Sequence, residues 1–340
     1  MIYYIVLTTF TFIIITSVFY KLSFTFNLLD RPNYRKIHEG NIPLIGGIVI
    51  YLNIFIFSFF FETSYYLNFI LYTSSILLFL GVIDDSIELG VNFRLIAQLI
   101  SCLILVGSGL VINNIGAYSF LPKIETGFVA IFFTVFCVIG LTNAFNFIDG
   151  IDGLCSGLSL ISIISVLLFS FFNGTLIYFL DKNFILLICI IIFLFFIINV
   201  SKYYKIFLGD AGSMFLGFFV SWLLILTSQD KNMILPPVLA IWCVTLPVFD
   251  IISVVVRRII NKSNPFKPDR SHIHHLLLNL GLSKYFTLSI IFLISVLLNF
   301  IGFFLYVILG PLPSLMAFIF LLIIYITIMM FINFKFKIIY

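Results

Sequence analysis

The sequence predicts an all-α, polytopic integral membrane protein of about 10–11 transmembrane helices, on three observations. The first is composition. Of 340 residues, 62% are hydrophobic and 9% charged, where a soluble globule carries about a quarter charged residues; mean hydropathy is +1.25. This excludes a nucleic-acid binder, a secreted disulfide scaffold and an enzyme held by a single anchor. The second is periodicity. Crossing the hydrocarbon takes about 20 apolar residues, and runs near that length recur at 1–21, 43–61, 65–83, 94–112, 128–145, 154–172, 184–200, 211–228, 234–256, 285–310 and 313–334. The third is where the cations fall.

Eleven crossings sort the polar connections into two alternating sets. One holds 30–42, 84–93, 146–153, 201–210, 257–284 and the tail from Lys335; the other holds 62–64, 113–127, 173–183, 229–233 and the Gly310–Pro311 turn. With Lys21 and Arg94 at its span ends, the first set carries fifteen of the 18 Lys and Arg residues, and the second carries three. Cytoplasmic loops hold the cations, so the first set is expected in the cytoplasm, with the N-terminus outside and the C-terminus inside. Met1–Tyr20 lacks a basic start and a small-residue cleavage site, so it is expected to be a retained span rather than a signal peptide. Cys102, Cys137, Cys155, Cys189 and Cys243 stand singly in apolar stretches, as small buried hydrophobes do. No repeat or linker divides the chain, so 1–340 reads as one domain with motif loops at 30–47, 84–98, 143–154, 207–213 and 257–284.

All five loops belong to the first set. In the second of them Asp84 and Asp85 are adjacent, with Arg94 and Gln98 following on the next span. Neighbouring carboxylates repel, so they fit a place beside Mg²⁺ or a basic side chain; a solvated acidic loop is the alternative. In the third, Asn143, Asn146, Asp149 and Asp152 recur at steps of three along one side of a helix end. Gly150 and Gly153 among them permit a tight turn or close approach to a ligand. The chain has only 14 acids, and two of them at a membrane boundary point to function. A helix cap would account for one of the four polar residues, not all.

Asp210 lies between Gly209 and Gly212 where a span opens, after Phe207. There it suits either a metal bridging to phosphate or an N-cap. Three of four histidines, His272, His274 and His275, fall within four positions beside Lys267 and Arg270. No cysteine is near and the spacing matches no common zinc pattern, so grip on a diphosphate is the expectation. Asp250, about two turns inside the preceding span, is expected to pair with Arg257 or Arg258 or to face the cavity, with a structural role favoured. Pro43, Gly46 and Gly47 mark a shaped turn at a span entrance.

In this order, and on one face, these blocks resemble the polyprenyl-phosphate N-acetylhexosamine-1-phosphate transferase superfamily (glycosyltransferase family 4) from Asp30 to about Gly281. The run Pro268-Asp-Arg-Ser-His272-Ile-His274-His275 resembles the bacterial branch that joins UDP-N-acetylglucosamine to undecaprenyl phosphate and releases UMP, starting polysaccharides such as O-antigen. Ile273 interrupts the contiguous histidine run usual in the branch acting on UDP-N-acetylmuramoyl-pentapeptide, and the loop is too short for the insertion of the eukaryotic branch. The resemblance implies that Asp84 and Asp85 lie near the lipid phosphate and the metal, and that Arg94 holds that phosphate. It implies that Asn146 and Asp210 bind Mg²⁺, with Mn²⁺ as a substitute, and that Asp152 faces the uracil while Phe207 stacks on it. Asn143, Gly46 and Gly47 are expected to contact substrate. Asp149, Arg270, His272, His274 and His275 are carried over as catalytic, the last four in the loop closing over the sugar diphosphate. Expected partners are a UDP-sugar, undecaprenyl phosphate and membrane lipid, with no nucleic acid; a homodimer is compatible. Other UDP-2-acetamido sugars stay open as donors, as does a covalent aspartyl-phosphate route. From a different class, an ion-coupled secondary transporter would require midplane charges and pseudo-symmetric halves.

Overall fold

The computed structural model describes residues 2–31, 40–87, 89–118, 121–201, 204–231, 233–262 and 272–335. It opens with α1 (Ile2–Thr25), short antiparallel strands β1 (Leu29–Asp30) and β2 (Ile42–Pro43), and α2 (Gly46–Ser58). Helices α3 (Tyr65–Ile87) and α4 (Val91–Gly107) lead to a hairpin of β3 (Asn114–Tyr118) and β4 (Leu121–Glu125). Then come α5 (Ala130–Ile148), α6 (Leu154–Phe172), α7 (Lys182–Val200), α8 (Gly209–Ser228), α9 (Pro237–Trp242), α10 (Thr245–Ile260), α11 (Ile273–Asn279), α12 (Lys284–Leu309) and α13 (Pro311–Lys335). Eight of these helices are long and apolar enough to cross a membrane, and α2 and α4 are shorter apolar helices. The architecture is that of an all-α, multi-pass membrane protein.

Each of the eleven apolar runs coincides with helix, but the ninth is broken between α9 and α10. Pro247 has no N–H for the Cys243 carbonyl and its ring crowds that oxygen, so α9 stops at Trp242. The proline falls in the first turn of α10, where it is tolerated. Two loops are more ordered than the sequence indicated: 113–127 contains the β3–β4 hairpin, and α11 forms within 257–284.

Polar contacts between connections respect the two alternating sets. In one, Ser64 donates through its backbone N–H and its hydroxyl to Asp181, at 2.6 Å each, and the Asn113 and Asn114 N–H groups donate to the Gln229 side chain. In the other, the Phe207 N–H donates to the Pro43 carbonyl, and Lys205 pairs with Asp152. Each of these contacts joins members of one set.

At the centre stands α8, every residue of which from Ala211 to Ser228 is buried; α2, α3, α5 and α6 surround it. Lipid tails are as apolar as leucine, so helices in a membrane associate through close packing rather than hydrophobic expulsion. Small residues make that packing possible here. A Cβ on Gly81 of α3 would collide with the Ala211 backbone, and one on Gly47 of α2 with the Gly212 backbone. Gly81→Ala is therefore expected to destabilise by about 1–3 kcal/mol. Gly140→Ala, in α5 where a Cβ meets open space, should be neutral or stabilising by roughly 0.5–1 kcal/mol. Thermal unfolding of the two variants in detergent measures the contrast.

Candidate active site

Asp84 and Asp85 lie in the last turn of α3, where a helix macrodipole disfavours negative charge. Each is compensated from outside its own helix. Asp84 is buried, with its carboxylate 2.7 Å from Arg94 Nε, and it accepts the Leu89 N–H at 2.6 Å. Asp85 accepts the backbone N–H groups of Asp210 at 2.8 Å and Ala211 at 3.3 Å, so it caps the N-terminus of α8. A hydrogen bond to a charged group contributes about 1.5–3 kcal/mol. The cap also explains Gly209, which has φ +74° and whose missing Cβ leaves room for the Asp85 carboxylate.

Capped in this way, α8 presents the Asp210 carboxylate to Arg94 and Asn146. Arg94 Nη1 stands 3.4 Å from Asp210 Oδ2. Asn146, in the last turn of α5, donates from Nδ2 to Asp210 Oδ1 and to Ser213 Oγ, both at 2.9 Å. The structure thus brings together Asp84, Asp85, Arg94, Asn146 and Asp210 from α3, α4, α5 and α8. Ser213 was missed from sequence, although a residue three positions after Asp210 shares its helix face.

Gly46, Gly47 and Asn143, expected at the substrate, make bonds within the protein. Gly46 and Gly47 are buried, and their N–H groups donate at 3.0 Å to the Phe207 and Leu208 carbonyls, so they brace the turn ahead of Asp210. Asn143, one turn deeper than Asn146, donates to Gln98 Oε1 at 2.7 Å and to the Ile139 carbonyl. Its amide is spent tying α5 to α4.

Past α5, Asp152 pairs with Lys205 at 3.1 Å, and the same ammonium lies 5.2 Å from the centre of the Phe207 ring. Lys205 counted only as a topology cation in the sequence. Its position two residues before Phe207, in extended chain, was the available sign of a shared face. Asp149 follows the end of α5 and is half-buried.

Of the histidine loop, Arg270 lies outside the described residues. His272 is buried, with Nδ1 2.7 Å from Asp250 Oδ2; Asp250 Oδ1 accepts the Ile273 N–H at 2.9 Å and the Tyr325 hydroxyl at 3.2 Å. The sequence suggested Arg257 or Arg258 as the Asp250 partner; the structure pairs it with His272, Ile273 and Tyr325 instead. His274 is fully buried on Gly150, where any Cβ would strike its ring. Burial, then neighbouring His275, push the His274 pKa down to about 3. The ring is therefore neutral at physiological pH in the unliganded fold, where it packs the start of α11 onto the α5–α6 connection. The His275 ring lies 4.1 Å from that of His274.

The cluster offers oxygen donors, with more carboxylates than the two cations, Arg94 and Lys205, that pair with them among the described residues. Such a set suits a hard divalent cation. Among the described residues no three His, Cys, Asp or Glu side chains surround one point.

Burial first, then the charges of Asp210, Asp152 and Asp85, hold the Asp149 carboxyl well above the usual carboxylate range. A raised pKa favours the protonated acid in the fold. Its stabilisation is complete below the ordinary value of about 4 and is lost as pH rises through the folded value. Asp149→Asn, which keeps the neutral shape, is expected to unfold at a higher temperature than the wild type in metal-free buffer at about pH 8. The advantage should vanish near pH 4, and thermal scans at both pH values check it.

A family profile described as glycosyl transferase family 4 matches residues 67–228. The undecaprenyl-phosphate alpha-N-acetylglucosaminyl 1-phosphate transferase of Salmonella typhi is 34% identical over 289 residues, covering 83% of this chain and 77% of its own. The protein of the same name from Escherichia coli strain K12 is 32% identical, with coverage of 83% and 77%. A probable undecaprenyl-phosphate N-acetylglucosaminyl 1-phosphate transferase of Bacillus subtilis strain 168 is 29% identical, with coverage of 84% and 79%. With a shared profile across its central helices and relatives matched along most of both chains, this protein belongs to glycosyl transferase family 4.

Proposed function

We propose that the chain transfers N-acetylglucosamine 1-phosphate from UDP-N-acetylglucosamine to undecaprenyl phosphate, releasing UMP and starting a lipid-linked cell-surface polysaccharide. The observation that carries this reading is the meeting of Asp84, Arg94, Asn146 and Asp210 at one end of the bundle, in a chain whose relatives bear that transferase name. The cation bias of the loops supports a cytoplasmic position for that end in the cell membrane.

An oxygen of the lipid phosphate attacks the β-phosphorus of the UDP-sugar. The bond from that phosphorus to the oxygen bridging the α- and β-phosphates breaks, and UMP departs with the bridging oxygen. The second pKa of a phosphate monoester is near 6, so the nucleophile is already ionised at neutral pH and no protein base is required. Asp84 and Asp85 are then orienting groups: Asp84 fixes Arg94, and Asp85 fixes the helix end carrying Asp210. Arg94 is the cation placed for the lipid phosphate. Asp210 and Asn146 would hold Mg²⁺ or Mn²⁺, which supplies charge neutralisation to the diphosphate when bound. At the nucleotide end, the Asp152 carboxylate accepts the uracil N3–H, Phe207 provides the stacking face, and Lys205 bridges the two. An ion-coupled transporter would need a free acid deep in the bundle, whereas Asp250 is bound to His272, Ile273 and Tyr325.

Membranes containing the protein, supplied with radiolabelled UDP-N-acetylglucosamine and undecaprenyl phosphate, should form a lipid-extractable labelled product. Chelation should abolish it and Mg²⁺ restore it. A panel of other UDP-2-acetamido sugars defines the donor, and absence of product from every donor would defeat the reading. Asp210→Asn should insert normally and lose at least about 100-fold in turnover. Lys205→Ala removes one charge-assisted contact, so KM for the UDP-sugar should rise about tenfold with little change in kcat.

A further inference from the structure

We infer that Asp250 is a positioning residue for the transfer, a carboxylate inside the apolar bundle that orients His272 and docks the start of α11 beside the end of α5. The inference rests on the transferase reading proposed above.

Asp250 is 1% exposed and His272 5%. A buried carboxylate is costly unless its lone pairs are filled, and here both oxygens are used. Oδ2 meets the His272 ring at Nδ1, and Oδ1 accepts the N–H of the next residue, Ile273. Two bonds to adjacent parts of one short segment fix both the imidazole and the backbone carrying it. A cap for α11 could be had from a neutral side chain at its own N-cap position with far less desolvation. That position is His272 itself, whose side chain makes no cap bond and faces Asp250.

A carboxylate only accepts, so Nδ1 donates to Asp250. The ring stands 5.9 Å from that of Phe147, the residue after Asn146 in the last turn of α5. His272 thereby sits beside the end of α5, one residue past Asn146, which bonds Asp210. The third donor, the Tyr325 hydroxyl at 3.2 Å, comes from α13 and steadies the carboxylate from the far side. Helices α10, α11 and α13 thus converge on one side chain, and none of these contacts belongs to the Asp84–Arg94–Asp210–Asn146 cluster.

The test is a double-mutant cycle read in turnover. Full-length Asp250→Asn, His272→Gln and the double variant are assayed for lipid-linked product, with kcat, KM and unfolding temperature measured for each. An asparagine offers one acceptor oxygen to three donors, so Asp250→Asn should lower kcat about 10- to 100-fold, with KM for the lipid within about twofold. If Asp250 acts through His272, the double variant is no slower than His272→Gln alone. Multiplying losses, or wild-type turnover in Asp250→Asn, would overturn the inference. Should Asp250→Asn not fold, Tyr325→Phe replaces it in the same cycle, with a several-fold loss expected that disappears in the His272→Gln background. Wild-type protein that makes no product overturns the transferase reading and this inference together; active wild type with additive losses overturns the inference alone.

Discussion

The candidate site depends on one contact, the Asp85 carboxylate against the first free N–H groups of α8. An acid at the C-terminal end of α3 opposes the dipole of its own helix, yet the same charge is favourable at the N-terminal end of another. Crossing α3 against α8 so that these ends meet turns a local penalty into a tertiary constraint. The constraint fixes where Asp210 points, and Arg94 and Asn146 then find Asp210. Gly209 and Gly81 are the steric conditions for it, since a side chain at either would hold the two helices apart.

Much of this was legible in the sequence. Composition and apolar runs marked every long helix, because a bilayer allows few alternatives to a helix, while the short α11 in the last polar loop went unmarked. Spacing singled out Asp84, Asp85, Asn146 and Asp210, which meet. Other features were illegible for physical reasons. Whether an amide faces substrate or a neighbouring amide is decided by the partner helix, and Gln98 decides it for Asn143. Gly46 and Gly47 were legible as a shaped turn at a span entrance, but not that the turn packs on the protein's own Phe207–Gly212 backbone. The break before Pro247 was readable from the proline alone; the run of hydropathy across it concealed the signal. Tyr325, 75 residues from Asp250 in the chain, left no sign of its role.

The histidines show how one motif divides its work. His272 is held by a buried acid and by proximity to Phe147, while His274 is packed neutral against Gly150. A pattern that reads as a single polar patch therefore separates into an oriented ring and a packing ring, because alternate positions at the start of α11 face different neighbours. Gly150 serves that packing by leaving space for an imidazole where a loop residue would otherwise project.

The complete enclosure of α8 has a mechanical consequence. Its spanning window is 100% buried, against 11% for those of α1 and α13, so acyl chains press on the outer helices and not on the one carrying Asp210. Membranes that thicken or thin with growth temperature impose tilt and mismatch on whatever they touch. Here that elastic load falls first on the peripheral helices and reaches the helix carrying Asp210 only through its neighbours.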